Sequence, residues 1–436
     1  MRPRLPLSRP SVLVAATVLL VCLPIGTDDV TRSQLSPADV AAGLAVTAVA
    51  VRLLGGSRAG TRRSRLPFAV ALAAFAVATV TATDVSTSVL GFVRYTEIFV
   101  LVPLAVALSL RDRFDVRLVA GSIVAVSVAE GGVGVYQYLT RTGASYAGAY
   151  IRAIGTFGPG QVMALASVLG YGIVVTLAFA LAARGPVRPA VIVLAALLTV
   201  PLALTLSRGA WVATTIGVLT VLAAANWRLA AGVAGAGVLL LITVSLTAGS
   251  DPAEGTFVQR VVSIAGSGST PDQSVLDRYA LWRTAAAIWA DHPILGVGIK
   301  DFAGYRDSYA SVALSAGSDI GDPSTGMGRE PLLSAHNQYL QVVSEQGTVG
   351  LVAFSGLLAA LATGAVRRVP STLPGPEQKF LDLAAPGIMA WTLVDFVYGD
   401  LGGGPGAVLL AVLLGLAARR ALIVPAPAPA AVTVTP

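Results

Sequence analysis

Residues Val162–Ala183 read VMALASVLGYGIVVTLAFALAA, a run without one charged side chain. At about 1.5 Å per residue, a helix of this length is roughly 33 Å long and crosses the ~30 Å hydrocarbon core of a bilayer. A helix on the surface of a soluble domain would show a polar face instead. This stretch therefore sets the fold class as helical and membrane-embedded.

Working outward, the whole sequence predicts twelve such spans. They are Ser11–Ile25, Pro37–Leu54, Leu66–Thr83, Val89–Leu110, Leu118–Leu139, Val162–Ala183, Ala190–Leu206, Ala210–Ala225, Leu229–Thr247, Gly347–Val366, Phe380–Tyr398 and Pro405–Ala418. Bulk composition agrees. The 436 residues are 55% hydrophobic and 12% charged, with a mean hydropathy of +0.76. A soluble domain carries about 25% charged residues, so a soluble enzyme, a nucleic-acid-binding module and a disordered chain are excluded.

The net charge of +7 is almost all arginine, since Lys300 and Lys379 are the only lysines. With a cytoplasmic N-terminus, 19 of the 30 basic residues fall in segments threaded inside, among them Arg2, Arg4, Arg9, Arg62, Arg63, Arg184, Arg188, Arg419 and Arg420. The short outer loops keep only Arg32, Arg141, Arg152 and Arg208. The positive-inside rule selects this orientation, with both termini cytoplasmic. Arg2, Arg4 and Arg9 precede an apolar stretch with no clear cleavage site, so we read an uncleaved first span. Cys22 stands alone, which excludes a disulfide framework or a cysteine-based metal site within the chain.

The expected fold is all-α: a polytopic bundle of about twelve transmembrane helices with one large extracytoplasmic loop carrying short interfacial helices. We divide it into a membrane bundle over 1–247, the loop over 248–346, C-terminal membrane helices over 347–418, and a Pro/Ala-rich cytoplasmic tail over 419–436. A loop that long is usually functional or structured, and this one holds both histidines, His292 and His336. Tyr279, Trp282, Ala286 and Trp289 recur at helical spacing over Asp277–Asp291, and Pro293 stops that helix. Ser334 is placed to cap a second helix. Tyr, Trp and Arg at this level suit helices lying on the membrane interface.

Several residues could carry chemistry. His336, just before the tenth span, could take a proton from a hydroxyl at neutral pH; taken alone, a helix-terminus histidine bonded to a backbone carbonyl is the stronger reading. His292 sits in a Pro- and Gly-rich turn, where a structural role is the stronger reading. Arg208 lies between two apolar runs, either as a snorkelling anchor or as a guanidinium fork for phosphate oxygens. Arg278 and Arg283 point about 140° apart on their helix, and Arg278, beside Tyr279 and Trp282, has the better case. Arg152 precedes a Gly-rich stretch whose backbone could approach a phosphate, although the same composition makes an ordinary turn. Arg94, Glu97 and Glu130 fall inside spans, where they either neutralise one another or line a polar cavity. Asp28 and Asp29 form an acidic pair in the first outer loop. No nucleotide fingerprint and no recognisable metal-ligand set is present.

These stretches, taken in order, resemble the O-antigen ligase/O-antigen polymerase family of integral membrane glycosyltransferases. The resemblance rests on Arg152-Ala153-Ile154-Gly155-Thr156-Phe157, Ser207-Arg208-Gly209-Ala210-Trp211 and Arg278-Tyr279-Ala280-Leu281-Trp282. It continues through Asp291-His292-Pro293-Ile294-Leu295-Gly296-Val297-Gly298, then His336-Asn337-Gln338-Tyr339-Leu340 with Glu345 and Gly347. It covers roughly residues 150–350. Gly158-Pro159-Gly160 stands where Pro-Asn often follows the family's Gly-Thr-Phe. The resemblance implies transfer of a glycan from a polyprenyl diphosphate carrier to a hydroxyl on a glycan, lipid or protein acceptor, at the outer face of the cytoplasmic membrane. It implies no nucleotide sugar, metal or other cofactor. Arg208 and Arg278 would hold the donor diphosphate and His336 would activate the acceptor, with Arg152, Arg283, Asn337, Tyr339 and Trp282 as further substrate contacts. Two readings compete: a transporter or flippase working through Arg94, Glu97 and Glu130, and a metal-dependent glycosyltransferase using Asp28 or Asp29.

Overall fold

The computed structural model describes residues 9–23, 35–55, 62–146, 151–158, 162–247, 273–310, 314, 318–322, 326–330, 332–367, 373, 375–401 and 405–422. Asp28 and Asp29 lie outside the described residues. The helices are α1 (Pro10–Leu20), α2 (Pro37–Leu54), α3 (Arg62–Val80), α4 (Val85–Thr96), α5 (Val102–Ser109), α6 (Arg113–Thr140), α7 (Val162–Ala182), α8 (Val187–Leu197), α9 (Thr199–Leu204), α10 (Arg208–Ala225) and α11 (Trp227–Thr247). After them come α12 (Gln273–Asp291), α13 (Phe302–Tyr309), α14 (Gln338–Val366), α15 (Gly375–Tyr398) and α16 (Pro405–Ala421). Each predicted apolar run coincides with one helix or with two in series. Eight helical stretches among the described residues are long and apolar enough to cross a membrane; Pro10–Leu20, Arg65–Val80 and Trp227–Leu239 are shorter apolar helices.

Local chemistry sets the boundaries. Ser36 and Asp39 form a reciprocal capping box at the start of α2, Asp112 caps α6 and Ser207 caps α10, each satisfying N–H groups that a helix start leaves open. The fourth predicted span is α4 and α5 joined by a π-helical turn, Glu97–Leu101. The core runs through the bundle on fully buried Trp391, Phe99, Phe354, Phe380 and Phe396. Two polar pairs lie within it: the Trp391 indole donates to Thr214 Oγ1 at 3.0 Å, and the Tyr171 and Thr392 hydroxyls meet at 2.8 Å.

Among the described residues the architecture departs from all-α in one sheet. Three short antiparallel strands, β1 (Ser145–Tyr146), β2 (Ser318–Asp322) and β3 (Gly326–Glu330), form a sheet in the order β1-β2-β3. Ser145 pairs with Gly321, and Ser318 with Glu330. These strands are short, β2 and β3 contain glycine, and none alternates over a useful length, so periodicity gave no sign of them. The sheet ties the large loop to the connection between α6 and α7.

Helix α14 is broken at Gly347, whose φ of 62° and ψ of −168° only glycine adopts readily. A break in a helix frees backbone groups that lipid cannot satisfy. The Pro293–Gly298 loop satisfies them on both sides. Val297 N and Gly298 N donate to the Ser344 and Glu345 carbonyls at 3.2 and 2.8 Å, and Thr348 N and Val349 N donate to Pro293 and Ile294 carbonyls at 2.9 and 3.2 Å. A Cβ on Gly347 would run into the Ile294 carbonyl. The His-Pro-Ile-Leu-Gly-Val-Gly stretch is thus a plug in a broken helix. The Glu345 carboxylate, beside it, accepts from Gln341 Nε2 at 2.6 Å and Phe302 N at 3.4 Å.

Candidate active site

The segment before α14 brings His336 to the end of α15. Asn337, not Ser334 as expected, caps α14: its side chain accepts from Leu340 N at 3.0 Å. Its amide also donates to the Val397 carbonyl at 3.0 Å. Gln338 bridges the same two segments, its N–H donating to Gly399 O at 2.9 Å while its side chain accepts from Leu401 N at 2.9 Å. Tyr339 donates to Leu393 O at 3.0 Å. Two residues expected to contact substrate, Asn337 and Tyr339, therefore have these polar groups engaged in fixing this segment.

His336 itself adopts a left-handed φ of 46°, uncommon for a non-glycine residue and a mark of a constrained position. Its Nδ1 faces Asp400 Oδ2 at 3.6 Å. Ser334 donates its hydroxyl to the same carboxylate oxygen. Enclosure holds the His336 imidazole below its ordinary pKa; Asp400 opposes that, Arg278 adds to it, and Asp277 opposes it more weakly. His336, Asp400 and Arg278 thus share one electrostatic environment, with Arg278 reaching it from α12.

Arg208 comes from α10, which packs along α15. It is the first residue of α10, so its guanidinium sits at the positive end of a helix dipole, an arrangement that favours an anion. The neighbouring Gly209 packs against Tyr398, where a Cβ would lie 3.0 Å from Tyr398 Cβ. Arg208 and His336 therefore adjoin the same end of α15. Leu206, two residues earlier, is also left-handed, with φ 53°.

Arg152 lies on the adjoining loop. Its backbone pairs with Ala144 through hydrogen bonds of 2.7 and 3.1 Å, and Ala153 N donates to Leu204 O at 3.1 Å, joining this loop to the approach to Arg208. The Gly-Thr stretch after it is held from α6. Gln137 accepts from Ile154 N and Gly155 N and donates to Gly155 O, at 3.0, 2.9 and 2.7 Å. Glu130 accepts from Thr156 N at 2.9 Å and Thr156 Oγ1 at 2.7 Å. Glu130 is an anchor for this loop.

Of the other expected residues, Trp282 packs edge-on to Tyr279 with centroids 5.7 Å apart, and its buried indole N–H has no acceptor among the described residues. Arg283 is exposed on another face of α12 from Arg278. His292 belongs to the plug segment, its ring edge-on to Tyr305 at 5.8 Å. Arg94 donates to Asp39 Oδ1 at 2.5 Å and Glu97 Oε2 at 2.9 Å. No group of three or more His, Cys, Asp or Glu among the described residues is placed to hold a metal ion. Sequence reasoning did not single out Asp400, and it placed Ser334 only as a helix cap. The available signal was that Asp400 is the acidic residue of the short connection between the last two predicted spans.

Among known proteins, the family model described as O-antigen ligase matches residues 190–355, so the resemblance read from the sequence holds over that stretch, at the level of a membrane glycosyltransferase family. The matched stretch includes Arg208, Arg278 and His336. One solved chain, from a structure described as "Structural coordination of polymerization and crosslinking by a peptidoglycan synthase complex", is similar over 83% of this chain and 96% of that chain, at 18% identity and a TM-score of 0.44. No curated protein matches the chain.

Proposed function

We propose that the chain transfers a glycan from a polyprenyl diphosphate carrier to an acceptor hydroxyl at the outer face of the cytoplasmic membrane, with inversion and without a metal. The observation that carries this reading is the His336–Asp400 pair, with Nδ1 and Oδ2 3.6 Å apart and within electrostatic reach of Arg278, beside the same helix end that Arg208 adjoins. In this scheme Asp400 orients His336 through Nδ1 and leaves Nε2 to accept the proton of the acceptor hydroxyl. The acceptor oxygen attacks the anomeric carbon from the face opposite the carrier. The bond from that carbon to the diphosphate oxygen breaks, and the polyprenyl diphosphate departs with the bonding electron pair. Arg208 and Arg278 stabilise the charge that develops on it. The imidazolium, stabilised by Asp400, then returns its proton to solvent.

The topology that goes with this mechanism has twelve crossings, both termini cytoplasmic, and the loop over 248–346 outside, between a bundle at 1–247 and helices at 347–418. Trp282, whose buried indole N–H has no acceptor among the described residues, and Arg152, on the loop beside Arg208, are assigned as the further substrate contacts. The transporter reading is weaker because Arg94, Glu97 and Glu130 are engaged with residues of this chain. The test is purified protein with lipid-linked glycans and mass analysis of products: His336→Ala and Arg208→Ala should insert and fold yet form no glycosidic bond. Full transfer by His336→Ala would remove the assigned base.

A further inference from the structure

We infer that one face of α12 is seated in the outer leaflet of the bilayer, with Arg283 at the phospholipid headgroups. One side of α12 is an ordinary core face: Leu281, Ala285 and Ile288 are fully buried in the small extracytoplasmic core with Val297, Phe302 and Ala335. The opposite side is apolar as well, and open. Leu276 is 46% and Tyr279 51% exposed, and Arg283, Ala286 and Ala290 continue the same stripe, all exposed. These positions fall within about 80° of one another around the helix axis. An exposed apolar and aromatic stripe carrying one arginine is the composition of a helix lying in a membrane interface.

Its continuity with the membrane-spanning surface identifies the occupant. From Gly347 to Val366 α14 has 20 residues, about 30 Å, which matches the hydrocarbon core and sets Thr348 at its outer boundary. The Trp289 indole, near the C-terminus of α12, donates to Thr348 Oγ1 and Pro293 O, both at 3.2 Å. Beside this anchor, Ile294 is 66% exposed and accepts from Val349 N, and Val352 further down α14 is 66% exposed. The open strip on α12 therefore ends next to the anchor that joins it to the exposed side of α14.

Arg278 shares a flank of α12 with Trp289, about 16 Å along the helix. A helix seated by its open stripe carries Arg278 at headgroup height, the level at which a lipid-borne diphosphate leaves the bilayer. This last step rests on the proposed function; the lipid contact itself needs no substrate. It is tested on the full chain in a Cys22→Ser background, in nanodiscs of phosphatidylethanolamine and phosphatidylglycerol, with a fluorophore at Ala286→Cys or, if that variant is unstable, Ala290→Cys. Nitroxide on a shallow acyl carbon should quench this label several-fold more than one at Asp307→Cys on α13, while aqueous iodide should favour the latter. Arg283→Glu should lower the lipid quenching in the anionic discs; an unchanged value would remove Arg283 from the contact. Quenching by iodide alone at 286 would mean the stripe faces water, and protection from both quenchers would mean another protein surface covers it. Either overturns the inference, and neither depends on whether His336→Ala is active.

Discussion

Replacing Asp400 with asparagine removes one charge beside His336 and retains the size of the side chain. At the 3.6 Å separation of Nδ1 and Oδ2, two unit charges interact by about 1 kcal/mol in bulk water and about 4–5 kcal/mol at an effective dielectric of about 20. His336 is 36% exposed, so water screens the pair and the lower part of that range applies. The imidazolium that forms as the acceptor loses its proton should then lose about 1–2 kcal/mol of stabilisation, a roughly 5- to 30-fold fall in rate. The pH profile moves as well. Asp400 raises the His336 pKa, so without it the imidazole stays neutral to lower pH, and the acid limb of kcat/KM shifts down. Arg278 lowers that pKa, so Arg278→Gln should shift the limb up while weakening donor binding. The assay is initial rate against pH with a lipid-linked donor at low concentration. An Asp400→Asn variant at full rate with an unmoved limb would refute the orienting role. Loss of more than about three orders of magnitude with the fold intact would make Asp400 itself the proton acceptor.

Gly347→Ala should destabilise the protein by about 1–3 kcal/mol through a strained φ, before the collision with the Ile294 carbonyl is added, and thermal unfolding in detergent should show a clear drop. Glu130→Ala should free the Thr156 end of the Arg152 loop, costing about 1–3 kcal/mol and raising KM for the donor more than it lowers kcat. Arg208→Lys retains the charge but loses the planar fork, so donor turnover should fall well below wild type; equal turnover would reduce Arg208 to a point charge. Arg94→Gln leaves Asp39 and Glu97 without their shared guanidinium and should lower thermal stability while solute movement in proteoliposomes stays at the wild-type level; abolished movement would revive the transporter reading.

The membrane fold was legible because bilayer thickness imposes a length on each apolar run. Pro37–Leu54 and Ala210–Ala225 coincide with α2 and α10 to within two residues. The breaks were less legible, since a π turn at Glu97 or a break at Gly347 leaves hydropathy unchanged and appears only when the backbone groups are followed to their partners. The arginines and His336 stood out because charge is scarce in this chain. Their partners distant in sequence did not. Asp400 lies 64 positions beyond His336 and Asp39 lies 55 before Arg94, and helix packing, not spacing, brings each pair together. Asn337 and Tyr339, read from the sequence as substrate contacts, also fasten the His336 segment to α15 through their hydrogen bonds, a role that spacing does not show. The sheet at 318–330 escaped notice because its strands lack the alternation by which strands are read.

The central claim is glycan transfer with His336 as proton acceptor. Its most direct test is mass analysis of products after purified wild-type and His336→Ala protein are incubated with polyprenyl diphosphate-linked glycan and acceptor. The account predicts an inverted glycosidic product and free polyprenyl diphosphate from the wild type, and neither from a folded His336→Ala. Equal product from both proteins would contradict it.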